Sequence, residues 1–518
     1  MQFGSTGCAK VGFDFDGNPL DDHLMKIKWH GLTECEVGSH CTWRTSNFKP
    51  LCGYKNCPHN ILAALKMRHA PRVSDRLLRH LPPIKEIRED MKRMTDDVDY
   101  YLKSINRHIH SYFMAIAKEL PWITVDDCWE QLNAMDGLTG QSDRWNLQQV
   151  LDSKRPSKYK RYQQAKNYLE NNSLNEKHYR IESFVKNERM SAQVFKPPRL
   201  IQGRSPEYTM LLQTYLKPIE HYMENSPRKV TNKGLDLDGT YDLLSTLDNM
   251  DDAKYLLLDH DAYDSSVSVY LLLVEHYIYL RKYGRDYELA TLLSKQLYNR
   301  CKSICGRVKY SVVGTRMSGD ANTALGNSLG NLFFLSLVFH KMDNHPIVCG
   351  DDSVVKFSGD ISSRLRLIDK VIFKTKSKIV CDLSEVDFCQ CICDIEHNTM
   401  IKDALRTVSR SMICVDNKVK TSIDLFKWMA TYYIGNKTLF HSLGLGNYIE
   451  QFNTGHKPYR DDQLDYNKTS RLIPDDYSRF GYTPQLCDEA NCINIARELS
   501  NDVNRNHAEY NEVYESMV

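Results

Sequence analysis

No apolar run in these 518 residues reaches the roughly 18 needed to cross a bilayer. The best candidate, Leu329 to Phe339, is too short. Residues Met1 to Asp14 lack a basic start followed by a long apolar block, so no signal peptide is expected there. These two absences predict a chain made and kept in a reducing compartment, without a direct membrane span. The sequence also has no internal repeat and no low-complexity linker, which excludes a solenoid or a mainly disordered chain. A hydrophobic fraction of 42% and a charged fraction of 26% are instead those of a globular protein.

Closely spaced metal-ligand pairs are missing as well. The 16 cysteines are scattered. The one cluster, Cys35, His40, Cys41, Cys52, Cys57 and His59, lacks the two-residue spacing that zinc sites favour. A loop with free thiols is the expectation for it, and structural zinc near Cys35–His59 the lesser reading. Cys389, Cys391 and Cys393 alternate, so a strand here would point all three to one face.

Net charge is small, +2, but unevenly spread. Lys154 to Arg204 holds 13 Lys/Arg against 4 Asp/Glu, a local +9. Asp461 to Val518 holds 5 against 12, a local −7. A basic block of that density fits either a solvated surface or a phosphate-binding channel.

The layout is mixed α+β, without strict strand–helix alternation. Residues 1–60 read as loop-rich. Asn60 to Leu120 reads as mostly helical, broken at Pro71 and Pro82-Pro83. Tyr208 to Met223 and Tyr270 to Tyr298 read as helices, and Tyr255 to Leu258 as a buried strand ending in Asp259. Gly314 to Gly319 reads as a loop, Asp320 to Met342 as a long apolar helix, and Ile347 to Phe357 as a hairpin. A helix–strand passage runs from Ser362 to Cys393, and Met400 to Val518 reads as mainly helical.

Chemistry concentrates at three places. Cys349-Gly350-Asp351-Asp352 puts adjacent carboxylates at a hairpin tip, where their repulsion gains a fold little unless a cation sits between them. Gly-Asp-Asp alone arises by chance in roughly one chain in ten of this length. Leu258-Asp259-His260-Asp261-Ala262-Tyr263-Asp264 places Asp259 at a strand end, able to meet that hairpin. Two carboxylates from separate strands, with substrate phosphates, suit Mg²⁺. Arg316-Met317-Ser318-Gly319-Asp320-Ala321-Asn322-Thr323-Ala324-Leu325-Gly326-Asn327 lies between them. Gly319 frees the backbone before a helix, and Ser318 is able to cap that helix or donate to a ligand. Thr323 and Asn327 share a helical face. Asn327, Ser318 and Asp264 form a polar set able to read a ribose hydroxyl.

In order and spacing, these three stretches resemble motifs A, B and C of viral RNA-dependent RNA polymerases. Their wording is closest to the tombusvirus and carmovirus group. Phe184-Val185-Lys186-Asn187-Glu188, with Lys196-Pro197-Pro198-Arg199-Leu200-Ile201-Gln202 and Arg204-Ser205-Pro206, resembles motif F of that group. Glu385-Val386-Asp387-Phe388-Cys389-Gln390 resembles its motif E. The resemblance is good from Phe184 to Cys391 and weaker outside.

The resemblance implies a right-hand fold. Its division would be an N-terminal Cys-rich segment 1–60, fingers 61–245 with motif F at 184–206, palm 246–264 and 311–400, a fingers insertion 265–310, and a thumb with the C-terminal segment 401–518. It implies nucleotidyl transfer replicating a positive-strand RNA genome, with RNA template, nascent RNA and NTPs as partners and de novo initiation. Asp259 and Asp351 would bind two Mg²⁺ (or Mn²⁺) ions, with Asp352 assisting. Asp264, Ser318, Gly319, Thr323 and Asn327 would read the ribose. Lys186 and Arg199, with Arg204, would hold the triphosphate. Lys376 is favoured over Lys374 and Lys378 as the motif D acid. Phe388, Cys389 and Gln390 would lie on the strand gripping the primer. Location would be the host cytoplasm, at membrane-associated replication complexes reached through a membrane-anchored viral replication protein. Asp261 departs from the group's pattern, either facing solvent or shifting metal preference toward Mn²⁺. Reverse transcriptase is the nearest rival, but Asp264 stands where its aromatic gate would be. A non-catalytic RNA-binding scaffold would have damaged metal sites.

Overall fold

The computed structural model describes residues 8–11, 24–29, 56, 58–140, 143–186, 197–246, 253–368, 371–402, 421–442 and 445–456. Strands, in chain order, are β1 (Cys8–Val11), β2 (Met25–Trp29), β3 (Ile181–Val185), β4 (Leu200–Gly203), β5 (Lys254–His260), β6 (Tyr298–Ser303) and β7 (Val308–Val313). They continue as β8 (Asn344–Cys349), β9 (Asp352–Phe357), β10 (Thr375–Val380), β11 (Asp387–Phe388), β12 (Cys391–Asp394) and β13 (Thr399–Lys402). Helices fill most of the remainder, so the chain is α+β.

The strands form three sheets. The largest has the order β1-β2-β7-β6-β3-β4, antiparallel except for the parallel pair β3–β6. β3 alternates buried Ile181, Ser183 and Val185 with exposed residues, so one sheet face meets a core shared with the Pro58–Met67 helix. β10-β5-β9-β8 is an antiparallel sheet of four, and β11-β12-β13 one of three. In the four-stranded sheet Leu256, Leu258, Val355 and Phe357 face the main core, while Tyr255, Ile347 and Val354 face a second core under the three-stranded sheet. Period-two alternation therefore fixes which face each functional residue takes.

Three of the helices that supply the main core are Val98–Glu119, Val269–Lys282 and Thr323–Val338. Aromatic pairs tie them together. Tyr112 stacks on Tyr270 with centroids 5.5 Å apart, and Phe113 on Phe333 at 5.7 Å. Side-chain caps set two of the starts: Asp97 accepts from the Tyr100 N–H and Ser268 from that of Leu271.

The structure corrects several boundaries. The helix expected from Asp320 begins at Thr323, and Asp320 lies ahead of it, paired with Arg204. Tyr270 to Tyr298 is not one helix. It stops at Lys282, passes through Gly284 and Arg285 at φ +58° and +61°, resumes at Tyr287–Ser294, and gives way to β6 at Tyr298. The first 60 residues contribute β1 and β2 to the six-stranded sheet rather than loop alone. β7 runs across the expected division at residue 310. Past residue 400, β13 precedes helices Ser422–Ser442 and Gly446–Glu450. Cys35, His40, Cys41, Cys52, Cys57, the His59 side chain and the acidic stretch from 461 lie outside the described residues.

Candidate active site

β5 and the β8–β9 turn bring the acids together. Leu258 pairs with Ser353, so the next residue, Asp259, emerges beside the start of β9. Cys349 pairs with Asp352, leaving Gly350 and Asp351 as a two-residue turn. Gly350 takes φ +69°, the left-handed value such a hairpin demands at its first position. Asp259 and Asp352 share the sheet face away from the main core. Burial raises the Asp351 carboxyl above its ordinary value, and the Asp259 charge adds to this. Asp352 is pushed up to about 6, by burial first and then by Asp351 and Asp259.

Two residues within the apolar Thr323–Val338 helix hold this turn, and sequence reading missed both. Ser328 Oγ accepts from the Gly350 N–H at 3.0 Å. Asn331 Nδ2 donates to the Gly350 and Asp351 carbonyls at 3.3 and 3.2 Å. With Nδ2 so engaged, Asn331 Oδ1 is an acceptor, and His260 Nε2 donates to it at 3.3 Å. The spacing of Asn327, Ser328 and Asn331 on an otherwise apolar helix is the signal that could have found them. Burial holds His260 neutral, its pKa depressed to about 4.

Lys376 pairs directly with Asp259 across β10 and β5, whereas Lys378 pairs with Leu257. The Lys374 carbonyl accepts from the Asp261 N–H at 2.8 Å. Asp261 meets Arg72 at 3.4 Å, with half its side chain exposed (49%). That salt bridge, rather than the Asp259 group, is its surrounding.

After β5, Ala262 adopts a left-handed φ of +51° and turns the chain so that Asp264 comes back under the sheet end. Asn327 Nδ2 donates to Asp264 Oδ1 at 3.0 Å. Burial raises the Asp264 carboxyl, opposed by Asn327 and by the Arg316 charge. Thr323 spends its hydroxyl on the Met317 and Asp320 carbonyls. Ser318 does not cap the helix. Its hydroxyl donates to the Leu200 carbonyl at 2.9 Å and accepts from the Gln202 N–H, fastening the loop to β4. Gly319 completes that seam: a Cβ there would lie 2.9 Å from the Gln202 oxygen and 3.0 Å from the Gly203 Cα.

Of the three cations expected at the triphosphate, Arg199 lies within electrostatic reach of the acids and Arg204 lies in the core. Arg199 and Lys186 sit across from one another at the β3–β4 mouth, the Lys186 N–H donating to the Arg199 carbonyl at 2.8 Å. Arg199 is exposed, and its charge offsets the raised pKa of both Asp264 and Asp351. Arg204 is fully buried, paired with Asp320 and bonded to Asn299 and to the carbonyls of Tyr179 and Lys295. It is a core ion pair and not a phosphate ligand.

The expected motif E strand is also corrected. Phe388 ends β11 and pairs with Cys391, so Cys389 and Gln390 form a two-residue turn at φ +54° and +66°. Only two residues remain for the connection, so alternation of the three cysteines breaks at Cys389. The Cys389 thiol hydrogen-bonds with Cys349 and reaches Asp352; those contacts and burial keep it protonated.

Among the described residues, no group of three or more His, Cys, Asp or Glu side chains is placed to hold a metal ion by itself. Mg²⁺ does not require one, since it keeps waters and takes substrate phosphates beside one or two carboxylates. Burial first, and then neighbouring acids (Asp259 for Asp351; Asp351 and Asp259 for Asp352), raise these two carboxyls; a divalent cation would offset that cost, so the donor set fits such an ion.

Residues 125–478 match the family described as viral RNA dependent RNA polymerase. The RNA-directed RNA polymerase of turnip crinkle virus is 31% identical over 303 residues, covering 54% of this chain and 39% of that protein. That of oat chlorotic stunt virus is 27% identical over 330 residues, 58% of this chain and 43% of its own length. That of tobacco necrosis virus (strain D) is 34% identical over 182 residues, 33% and 25%. The chain therefore spans less than half the length of these relatives. The expected likeness to tombusvirus polymerases is met, and the chain belongs to the viral RNA-dependent RNA polymerase family.

Proposed function

We propose that the chain synthesises RNA on an RNA template by nucleotidyl transfer. One observation carries the reading: Asp259 at the end of β5 lies beside the β8–β9 turn that bears Asp351 and Asp352, with Lys376 opposite Asp259 and the Arg199 charge acting on Asp351. The arrangement would be a right hand, with the β10-β5-β9-β8 sheet as the palm, the six-stranded sheet in the fingers, and the helices after residue 421 in the thumb.

The nucleic-acid 3′-oxygen attacks the α-phosphorus of an NTP. The bond to the β-phosphate breaks, pyrophosphate leaves, and the 3′-hydroxyl proton is released. Asp259 and Asp351 would hold two divalent ions, with Asp352 at the edge; such ions lower the pKa of the attacking hydroxyl and stabilise the leaving oxygen. Arg199, with Lys186 beside it, neutralises charge on the triphosphate. Lys376 gives a proton to the departing pyrophosphate. Asp264 and Asn327 pair with the ribose 2′-hydroxyl, while Ser318 and Gly319 hold their loop in place. Phe388 and the Cys389-Gln390 turn after it, with Cys389 beside Asp352, would contact the growing end.

Initiation would be de novo, replicating a positive-strand viral genome. Among the described residues, no helix is long and apolar enough to cross a membrane. A membrane-anchored viral replication protein would bring the chain to cytoplasmic replication membranes. Wild-type protein, Mg²⁺, four NTPs and a short defined RNA without primer should give labelled product of template length on a gel. Incorporation of dNTPs in preference to NTPs, or none of either, would end this reading.

A further inference from the structure

A buried polar chain runs behind the ribose-reading pair. Arg316 and Glu275 are each only 2% exposed and form an ion pair inside the core. Arg316 Nε–H can only donate, and it lies 2.9 Å from a side-chain atom of Asn327. That atom is therefore the carboxamide oxygen, and the Asn327 NH₂ is turned onto Asp264, 3.0 Å away. The Arg316 backbone N–H also donates to the Asp264 carbonyl at 2.8 Å. Arg316 thus grips both members of the pair.

Glu275 is itself held. Both oxygens accept from the Arg316 guanidinium, and Oε1 also accepts from Asn322 Nδ2 at 2.6 Å. Asn322 is tied in turn to Gln296 by bonds of 3.0 and 3.1 Å. The helix makes room for this. A Cβ on Gly326 would overlap both the Glu275 carboxylate and the Arg316 guanidinium. Glycine in a helix costs about 1 kcal/mol relative to alanine. A buried ion pair gains little stability over apolar residues of the same volume.

We propose that Arg316 and Glu275 are positioning residues for sugar selection: by fixing the Asn327 amide, they present one acceptor on Asp264 and one donor on Asn327 to a ribose 2′-hydroxyl. This rests on the polymerase reading above. A 2′-hydroxyl both donates and accepts, whereas a 2′-deoxy sugar leaves both protein groups unpaired. Lysine at 316 keeps the charge facing Glu275 but lacks the planar Nε–H, so the amide would be free to turn over.

The test compares kcat/KM for UTP and 2′-dUTP on one RNA template, together with thermal melting, for wild type, Arg316→Lys and Glu275→Gln. In Arg316→Lys the preference for UTP should fall about tenfold, through a larger loss for UTP than for 2′-dUTP. Glu275→Gln should move the ratio in the same direction by a smaller factor. A folded Arg316→Lys with wild-type preference overturns the inference while leaving polymerase activity intact. Both variants melting before assay would also overturn it, showing that the pair only supports the core. A wild type that incorporates no UTP removes the polymerase reading itself, and the inference with it.

Discussion

Lys376 stands directly opposite Asp259 in the antiparallel pairing of β10 and β5, whereas Lys378 stands opposite Leu257. Residues facing one another in such a pair share a sheet face. Lys376→Ala should therefore lower kcat about 10²-fold, the usual worth of a positioned general acid, with little change in KM for NTP. Lys378→Ala should leave kcat near wild type. Single-turnover incorporation rates check both, and equal losses in the two variants would contradict the assignment.

Arg204 belongs to the core. Arg204→Ala leaves Asp320 buried without its partner and should lower unfolding stability by about 3–5 kcal/mol. A denaturant titration measures this. A raised KM for NTP at unchanged stability would instead return Arg204 to the triphosphate site.

Gly319 faces backbone that cannot give way. Gly319→Ala should push the loop off β4 and destabilise by about 1–3 kcal/mol. It should also weaken NTP use, since Ser318 loses its seat on Leu200 and Gln202. Melting and KM, measured together, test the seam.

His276 gives a pH test of the buried network. Its ring bonds Tyr101 and Gln296 inside the core. Burial depresses its pKa from 6.5 to about 4, with Glu275 and Gln296 opposing. The folded ring stays neutral while the unfolded ring gains a proton below 6.5. Its contribution is therefore complete above that pH and is lost as pH falls toward 4. His276→Gln should remove roughly 2–3 kcal/mol of the stability difference between pH 7 and pH 4. Parallel slopes in wild type and variant would contradict it.

What the sequence made legible was local chemistry. Asp259, Asp264, Asp351 and Asp352 stand out because acids at strand ends and turns are visible in short windows, and Asn327 because it lies one turn after Thr323 on the same helix. Arg204 misled because a basic residue in a basic block gives no sign of burial; only the fold reveals Asp320 opposite it. Cys389 and Gln390 misled because a left-handed turn without glycine lacks its usual marker. Glu275 and Asn331 were silent for another reason. Each lies in an apolar helix, and its meaning comes from partners 41 and 19–20 positions away in the chain.

The most direct measurement compares wild type with Asp351→Ala in RNA-templated synthesis on one short RNA, with Mg²⁺ or Mn²⁺ supplied and product sized by gel. Folded Asp351→Ala, verified by its melting curve, should make no template-length product with either ion. Wild-type synthesis by that variant would contradict the assignment of the β8–β9 turn as the catalytic centre.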